Sequence, residues 1–225
     1  MKSSFRCRIS SITFPSAARR MWVGFAALSV FSFLHYAGVK AEDAPKPSAL
    51  EEFCLLIEPK EGPAVAQPIK GAQKTALVPG RETSIGGVRY YTKEEFEALG
   101  LGWSGFQKKA EAAATRVLAT LKPEITRDAK NFVTSAVLRG PSHLTASAVL
   151  APRFYEMFRA TMGDDLVVLI PDRFTVYVFP RPLGQYKELG PKILAAYAEA
   201  AYPVSYEVLL LNKQGLSALG SFRTE

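Results

Sequence analysis

Four polar residues in the C-terminal half of the chain mark a candidate anion-binding site. They are Arg139, His143, Asp172 and Arg173, and they stand beside turn-forming residues. A guanidinium group forms paired hydrogen bonds with carboxylates and phosphates, and an imidazole titrates close to neutral pH. The sequence therefore predicts a small anion-binding site near these residues, to which the arginine at position 181 could add a second guanidinium.

The acidic residues of this region also have a purely structural interpretation. Asp172 can accept hydrogen bonds from backbone amides at the tip of a hairpin, and Asp164 with Asp165 can solvate a turn from helix to strand. The two acidic groups stand at opposite ends of one predicted strand, roughly 20 Å apart at the rise of a β-strand. They therefore cannot form one site through that strand alone.

The short motifs that mark common catalytic sites are missing from the sequence. It has no glycine-rich nucleotide loop, no His-Glu-x-x-His zinc motif and no Gly-x-Ser-x-Gly turn. Cys54 is the single cysteine after residue 41, which excludes an internal disulfide and a thiolate zinc site there. We expect Cys54 to be a small buried apolar residue. The sequence indicates no metal and no cofactor, and it leaves open whether the chain is an enzyme.

The elements that position the candidate residues centre on residues 163–181. Leu166 to Ile170 is an unbroken apolar run, rich in β-branched residues, which is typical of a strand covered on both faces. Thr175 to Phe179 is a second β-forming run. The residues between these runs predict a hairpin with a loop of about four residues.

In chain order, residues 124–225 predict strand, helix, two strands, helix, strand and one added strand that completes a final hairpin. This βαββαβ order is typical of a ferredoxin-like layer of antiparallel sheet and helices, so we expect an α+β fold. Residues 81–123 predict a small subregion of one β-hairpin and two helices. Residues 42–80 are rich in proline and glycine, which indicates a flexible linker or exposed loop, and within them Phe53 to Ile57 predicts one strand or a short helical turn.

Local signals refine these elements. Thr92 with Glu95 is a capping-box pattern that predicts the start of a helix, and the serine and glutamine at positions 104 and 107 repeat it. Pro152 favours the first turn of a further helix that ends at Gly163. Residues 144–150 predict a strand or an extended approach to that helix.

Residues 1–41 have the pattern of a signal peptide. Basic residues precede an apolar run over residues 21–36, and Val39-Lys40-Ala41 offers small residues at the positions that a signal peptidase reads. The segment holds 6 of the 28 Lys and Arg residues and no Asp or Glu, so its removal changes the net charge from +7 to +1. Most of the excess positive charge therefore lies in residues 1–41, and it does not argue for nucleic-acid binding.

An apolar pattern with a few punctuating residues extends over residues 130–222. It comprises Ala146-Ser147, Leu150, Phe154, the apolar strand that ends at Pro171, the helix through Tyr197, Tyr202-Pro203-Val204-Ser205, Leu211 and Gly215-Leu216. In these residues the C-terminal part of the chain resembles the YtpQ-like family, a bacterial family with no assigned function. The resemblance implies a shared fold and assigns no site residue.

Three functions are compatible with the sequence. The one it favours is an exported protein, periplasmic or secreted, that acts as a non-catalytic binding or structural module of the cell envelope. Its partner would be a protein or a small anionic ligand. The second is an enzyme with a small polar site near Arg139, His143 and Arg173. The third is an envelope protein anchored in the membrane by residues 21–39. Only this third function implies contact with a membrane.

Overall fold

The computed structural model describes residues 52–222. The predicted signal peptide, the predicted anchor and the first part of the predicted linker lie outside these residues. The described residues form an α+β fold with two antiparallel sheets, which confirms the predicted fold class. No helix among residues 52–222 has the length and apolar content that a membrane span requires.

The N-terminal sheet has four strands, and its central strand is β3. The strands are β1 (Glu52–Pro59), β2 (Gln67–Pro68), β3 (Thr75–Glu82) and β4 (Val88–Tyr90). β3 pairs with β1 along one edge and with both β2 and β4 along the other, always antiparallel.

The prediction of a flexible linker or exposed loop is wrong for residues 75–80, which lie in β3, whereas the alternative of a strand at Phe53 to Ile57 is confirmed by β1. Residues 52–80 contain β1 and most of β3, and the two strands pair over eight residues each. The prolines were misleading because Pro79 lies within β3, opposite Leu55, and accepts a hydrogen bond from the Tyr91 amide through its carbonyl. The apolar residues around Pro79 are buried in the core. Their burial offsets the loss of the backbone hydrogen bond that a proline cannot donate to a neighbouring strand.

Two helices follow this sheet, α1 (Lys93–Ala98) and α2 (Gly102–Thr120). The predicted capping box is present: the Thr92 hydroxyl accepts from the Glu95 amide, and the Glu95 carboxylate accepts from the Thr92 amide. The second predicted capping box is absent. α2 begins at Gly102, three residues before Gly105, where that pattern would start the helix, and no side chain caps it. The helix is held by its buried face, on which Phe106 is fully buried.

The C-terminal sheet has six strands in the order β10-β9-β7-β8-β6-β5, all antiparallel. Its elements are β5 (Glu124–Arg127), β6 (Val133–Arg139), α3 (Pro152–Met162), β7 (Leu166–Asp172), β8 (Thr175–Pro180), α4 (Gly190–Glu199), β9 (Glu207–Asn212) and β10 (Gly215–Ser221). The predicted βαββαβ order with one added strand is therefore present, from β6 to β10.

The central strand β7 is covered on both faces, as its apolar run predicts. Val168 packs in the main core with Phe154 of α3, whereas Leu169 packs in a second cluster with Ile193 of α4. The helices thus lie on opposite faces of the sheet. The two βαβ connections, β6–α3–β7 and β8–α4–β9, both move toward the β10 edge of the sheet. Because they start from strands that run in opposite directions, right-handed crossovers place α3 and α4 on opposite faces. In this respect the layer differs from a ferredoxin-like one, whose helices share a face.

Two local predictions in this region are wrong. The turn between β7 and β8 has two residues, Arg173 and Phe174, because β7 continues through Pro171 past a register shift that begins after Leu169. The segment before α3 is not a strand: Ala146–Leu150 forms a buried turn of 3₁₀-helix. Its short side chains fit a tight helical turn under the core, which periodicity alone cannot distinguish from a strand.

The connection between β2 and β3 joins the two sheets. The Lys70 carbonyl accepts a hydrogen bond from the Ala218 amide of β10 at 2.8 Å. The next residue, Gly71, has φ +79°, and a Cβ there would lie 2.9 Å from the Ala218 carbonyl oxygen. Only glycine allows this close approach of the two backbones.

We therefore expect Gly71→Ala to destabilise the protein more than Gly100→Ala. Gly100 also has positive φ (+64°), but a Cβ there would meet nothing within 4 Å. The control should lose about 1–2 kcal/mol from backbone strain alone. Gly71→Ala should lose about 1–3 kcal/mol more, because β10 must also shift. Urea unfolding followed by circular dichroism measures both, and equal losses would show that the approach to β10 is unimportant.

Candidate functional site

Arg173 reaches from the β7–β8 turn to the N-terminal sheet. Its Nε donates a hydrogen bond to Glu58 Oε1 of β1 at 2.7 Å, and its Nη2 donates to the Tyr90 hydroxyl of β4. The guanidinium also faces the rings of Tyr90 and Tyr202, at 5.7 Å and 5.2 Å from their centroids. The side chains of Arg173 and Glu58 are only 12% and 5% exposed, so they form a buried ion pair between the two sheets.

Burial determines the protonation behaviour of this cluster. It raises the pKa of the Glu58 carboxyl, and the hydrogen bond and charge of Arg173 oppose that effect. Burial and the nearby Glu58 carboxylate together raise the pKa of Tyr90 to about 12. Tyr90 therefore remains a neutral phenol near neutral pH, and the Glu58 carboxylate occupies the position at Arg173 that an external anion would need.

His143 and Asp172 lie beside the same turn. The His143 ring contacts the rings of Phe174 and Tyr202, with centroids 5.2 Å and 4.8 Å away. Its Nδ1 is buried and has no hydrogen-bond partner among residues 52–222. Asp172 Oδ1 accepts from the Phe174 amide at 2.6 Å, in agreement with its structural interpretation as a turn-closing residue.

The other predicted arginines bind different carboxylates. Arg139, at the end of β6, donates to Glu124 Oε2 of β5 at 2.8 Å. Arg181 donates to Asp165 Oδ2 at 3.0 Å, and both of these pairs are largely exposed to solvent. The structure thus brings Arg173, His143 and Asp172 to one turn and directs Arg139 to a separate contact.

Cys54 has the environment that its apolar neighbours predict. Its side chain is 1% exposed, and burial raises the pKa of the thiol to about 12. It is therefore a neutral thiol at physiological pH and a poor nucleophile. Within the described part of the chain, no three His, Cys, Asp or Glu side chains are grouped in a way that could hold a metal ion.

A cavity of about 240 Å³ opens beside the Arg173 cluster, between Tyr90, Tyr202 and three prolines. Its charged lining residues are Glu58, Glu61 and Arg173. Because Glu58 already neutralises Arg173, the remaining charge is the exposed Glu61, which lies 3.7 Å from Lys74. The cavity therefore lacks the excess positive charge that an anion site needs.

A larger groove of about 610 Å³ lies between the β2–β3 connection, the start of α3 and the β9–β10 turn; we call it the β2–β10 groove. Its apolar lining comprises Pro68, Ile69, Leu77, Val149, Leu150, Ala151, Pro152, Leu211 and Leu216. Its hydrogen-bonding lining includes Gln67, Lys70, Gln107, Lys213 and Gln214. The sequence does not reveal this groove, because its residues come from separate loops and turns and no motif or spacing connects them.

The positive charges of the groove stand on two different elements. Lys70 follows β2, and Lys213 lies in the β9–β10 turn. Neither lysine forms an ion pair with another residue in the range 52–222, whereas Glu156 on the groove lining is paired with Arg159 at 2.7 Å. The groove therefore presents excess positive charge above an apolar floor.

Comparison with known proteins adds a distant relative. No protein-family model matches the chain, and no solved structure matches it. A UPF0502 protein of Stenotrophomonas maltophilia (strain R551-3) is 26% identical over 129 residues. The match covers 57% of this chain and 58% of the relative, so the chain spans little more than half of that protein's length. The similarity supports an uncharacterised bacterial family and does not support the YtpQ-like assignment.

The buried pair predicts strong energetic coupling between Arg173 and Glu58. We expect Arg173→Met and Glu58→Gln each to lower the free energy of unfolding by about 3–5 kcal/mol, because each leaves a buried partner without its counterpart. The double variant should lose much less than the sum of the two. Urea unfolding of the four proteins at neutral pH measures the coupling.

The exposed pair Arg139–Glu124 provides the matched control for this cycle. Its side chains are 47% and 67% exposed, so the same double-mutant cycle should give a coupling below about 1 kcal/mol. Equal coupling energies in the two pairs would show that burial does not strengthen the interaction between Arg173 and Glu58.

Proposed function

We propose that the chain is an exported, non-catalytic binding module of the bacterial cell envelope. One observation carries the proposal: Arg173, the predicted residue best suited to hold a reacting anion, is neutralised within the fold by Glu58. A guanidinium that already binds a buried carboxylate contributes to stability and to the joining of the sheets. It is poorly placed to stabilise charge that develops on a substrate.

The N-terminal sequence supports export. Basic residues, an apolar run and small residues before Glu42 follow the order that the secretory machinery recognises. Loss of this segment leaves 22 basic and 21 acidic residues, a nearly neutral module. A module of this charge has no general attraction to nucleic acid, so its partner would be selected by a specific surface.

The β2–β10 groove supports a binding role. Its volume of about 610 Å³ lies within the range of small-molecule sites, and it combines an apolar floor with a few polar groups. Its polar lining consists of side-chain amides, two lysine ammonium groups, the Tyr155 phenol and the Glu156 carboxylate, which is paired with Arg159. A small anionic ligand is therefore the partner that we favour.

Export is tested by expressing the full chain in a bacterial host, separating the cell fractions and sequencing the N-terminus of the product. We expect a soluble periplasmic or secreted protein that begins at Glu42. Ala41→Phe is the matched control, because a large residue before the cleavage point should block processing.

Three outcomes would overturn the proposal. Full-length chain in the cytoplasm would exclude export, and full-length chain in the membrane fraction would favour the anchor over residues 21–39. In addition, catalytic turnover by the purified protein that His143→Ala abolishes would favour an enzyme with a site near Arg139, His143 and Arg173.

A further inference from the structure

We propose that the β2–β10 groove binds an amphipathic carboxylate, with the carboxylate between Lys70 and Lys213 and the apolar body on the groove floor. This inference rests on the proposed function as a binding module and names the chemistry of its ligand.

The floor favours an apolar body. Ile69, Leu211 and Val149 belong to the main core and still line the groove, so the opening reaches down to core side chains. Leu77 and Leu216 are only partly buried and complete this surface. A ligand that covers these side chains displaces water from apolar surface, which is favourable in proportion to the area covered.

The charges favour a carboxylate at the rim. Lys70 and Lys213 flank the groove from separate elements, and the acidic residue on its lining, Glu156, forms an exposed ion pair with Arg159 at 2.7 Å. Three glutamine amides add hydrogen-bond donors, and the residues that line the groove include no arginine. Two ammonium groups with amide donors suit a singly charged carboxylate, whereas phosphate sites generally exploit the paired donors of arginine.

Both lysines stand on backbone that is held in place. The Lys70 carbonyl accepts from the Ala218 amide, which fixes the β2–β3 connection against β10. In the β9–β10 turn, the side-chain Oδ1 of Asn212 accepts from the Gln214 backbone amide at 3.0 Å, and Asn212 Nδ2 donates to Asp165 Oδ1 at 3.3 Å. The groove is therefore formed before a ligand binds, which limits the entropy lost on binding.

The test measures binding of decanoate to the purified protein by titration calorimetry. Decanol supplies the same apolar body without the charge, and acetate supplies the charge without the body. We expect saturable binding of decanoate, with decanol and acetate binding much more weakly. Lys70→Gln combined with Lys213→Gln should weaken decanoate binding about tenfold, because two partly exposed ion pairs are lost.

Lys122→Gln is the matched control, since Lys122 is exposed and lies outside the groove, and it should leave the affinity unchanged. Added salt should weaken binding to the parent protein and have little effect on the double variant, which separates loss of charge from loss of fold.

Failure of decanoate to bind, or equal binding by the double variant, would overturn the proposal. Equal affinity for decanol and decanoate would overturn the assignment of a carboxylate. Neither result depends on export, which the fractionation experiment tests separately.

Discussion

The buried ion pair between Arg173 and Glu58 is the interaction on which the arrangement of the two sheets depends. Removing two charges from water is unfavourable, and their attraction offsets this only when the geometry is good and further hydrogen bonds are present. Here Tyr90 supplies a further hydrogen bond, and the rings of Tyr90 and Tyr202 face the cation. These partners come from both sheets, so the pair is satisfied only when the sheets are correctly joined.

The rest of the structure extends this junction. Core residues of β1 and of β7 pack in one cluster, so the sheets share their apolar interior. The β2–β3 connection contacts β10 at Gly71 and forms a second link between the two sheets. The β2–β10 groove lies beside that crossing, and its walls belong to elements from both sheets. The same contacts that hold the fold together therefore create the surface that we propose for ligand binding.

Local signals in the sequence predicted the elements whose causes are local. The capping box at Thr92, the proline at the start of α3 and the two-sided apolar run of β7 are present as predicted. Predictions failed where tertiary structure decided, as for Pro79 within β3 and Pro171 within β7. Arg173 was identified from its residue type, but its partner Glu58 is 115 residues away in the chain, and no spacing reveals that contact. Lys70 and Lys213 line one groove only because the fold places the β2–β3 connection beside the β9–β10 turn.

The charge of Arg173 is neutralised within the fold by the buried Glu58 carboxylate. The Nε–H signal of Arg173 in a nitrogen–proton NMR spectrum, assigned by its loss in Arg173→Met, tests this most directly. We expect a sharp, protected signal that added phosphate does not shift, because Glu58 already accepts a hydrogen bond from that Nε–H. A signal that shifts with phosphate until it saturates would show instead that the guanidinium is available to an external anion.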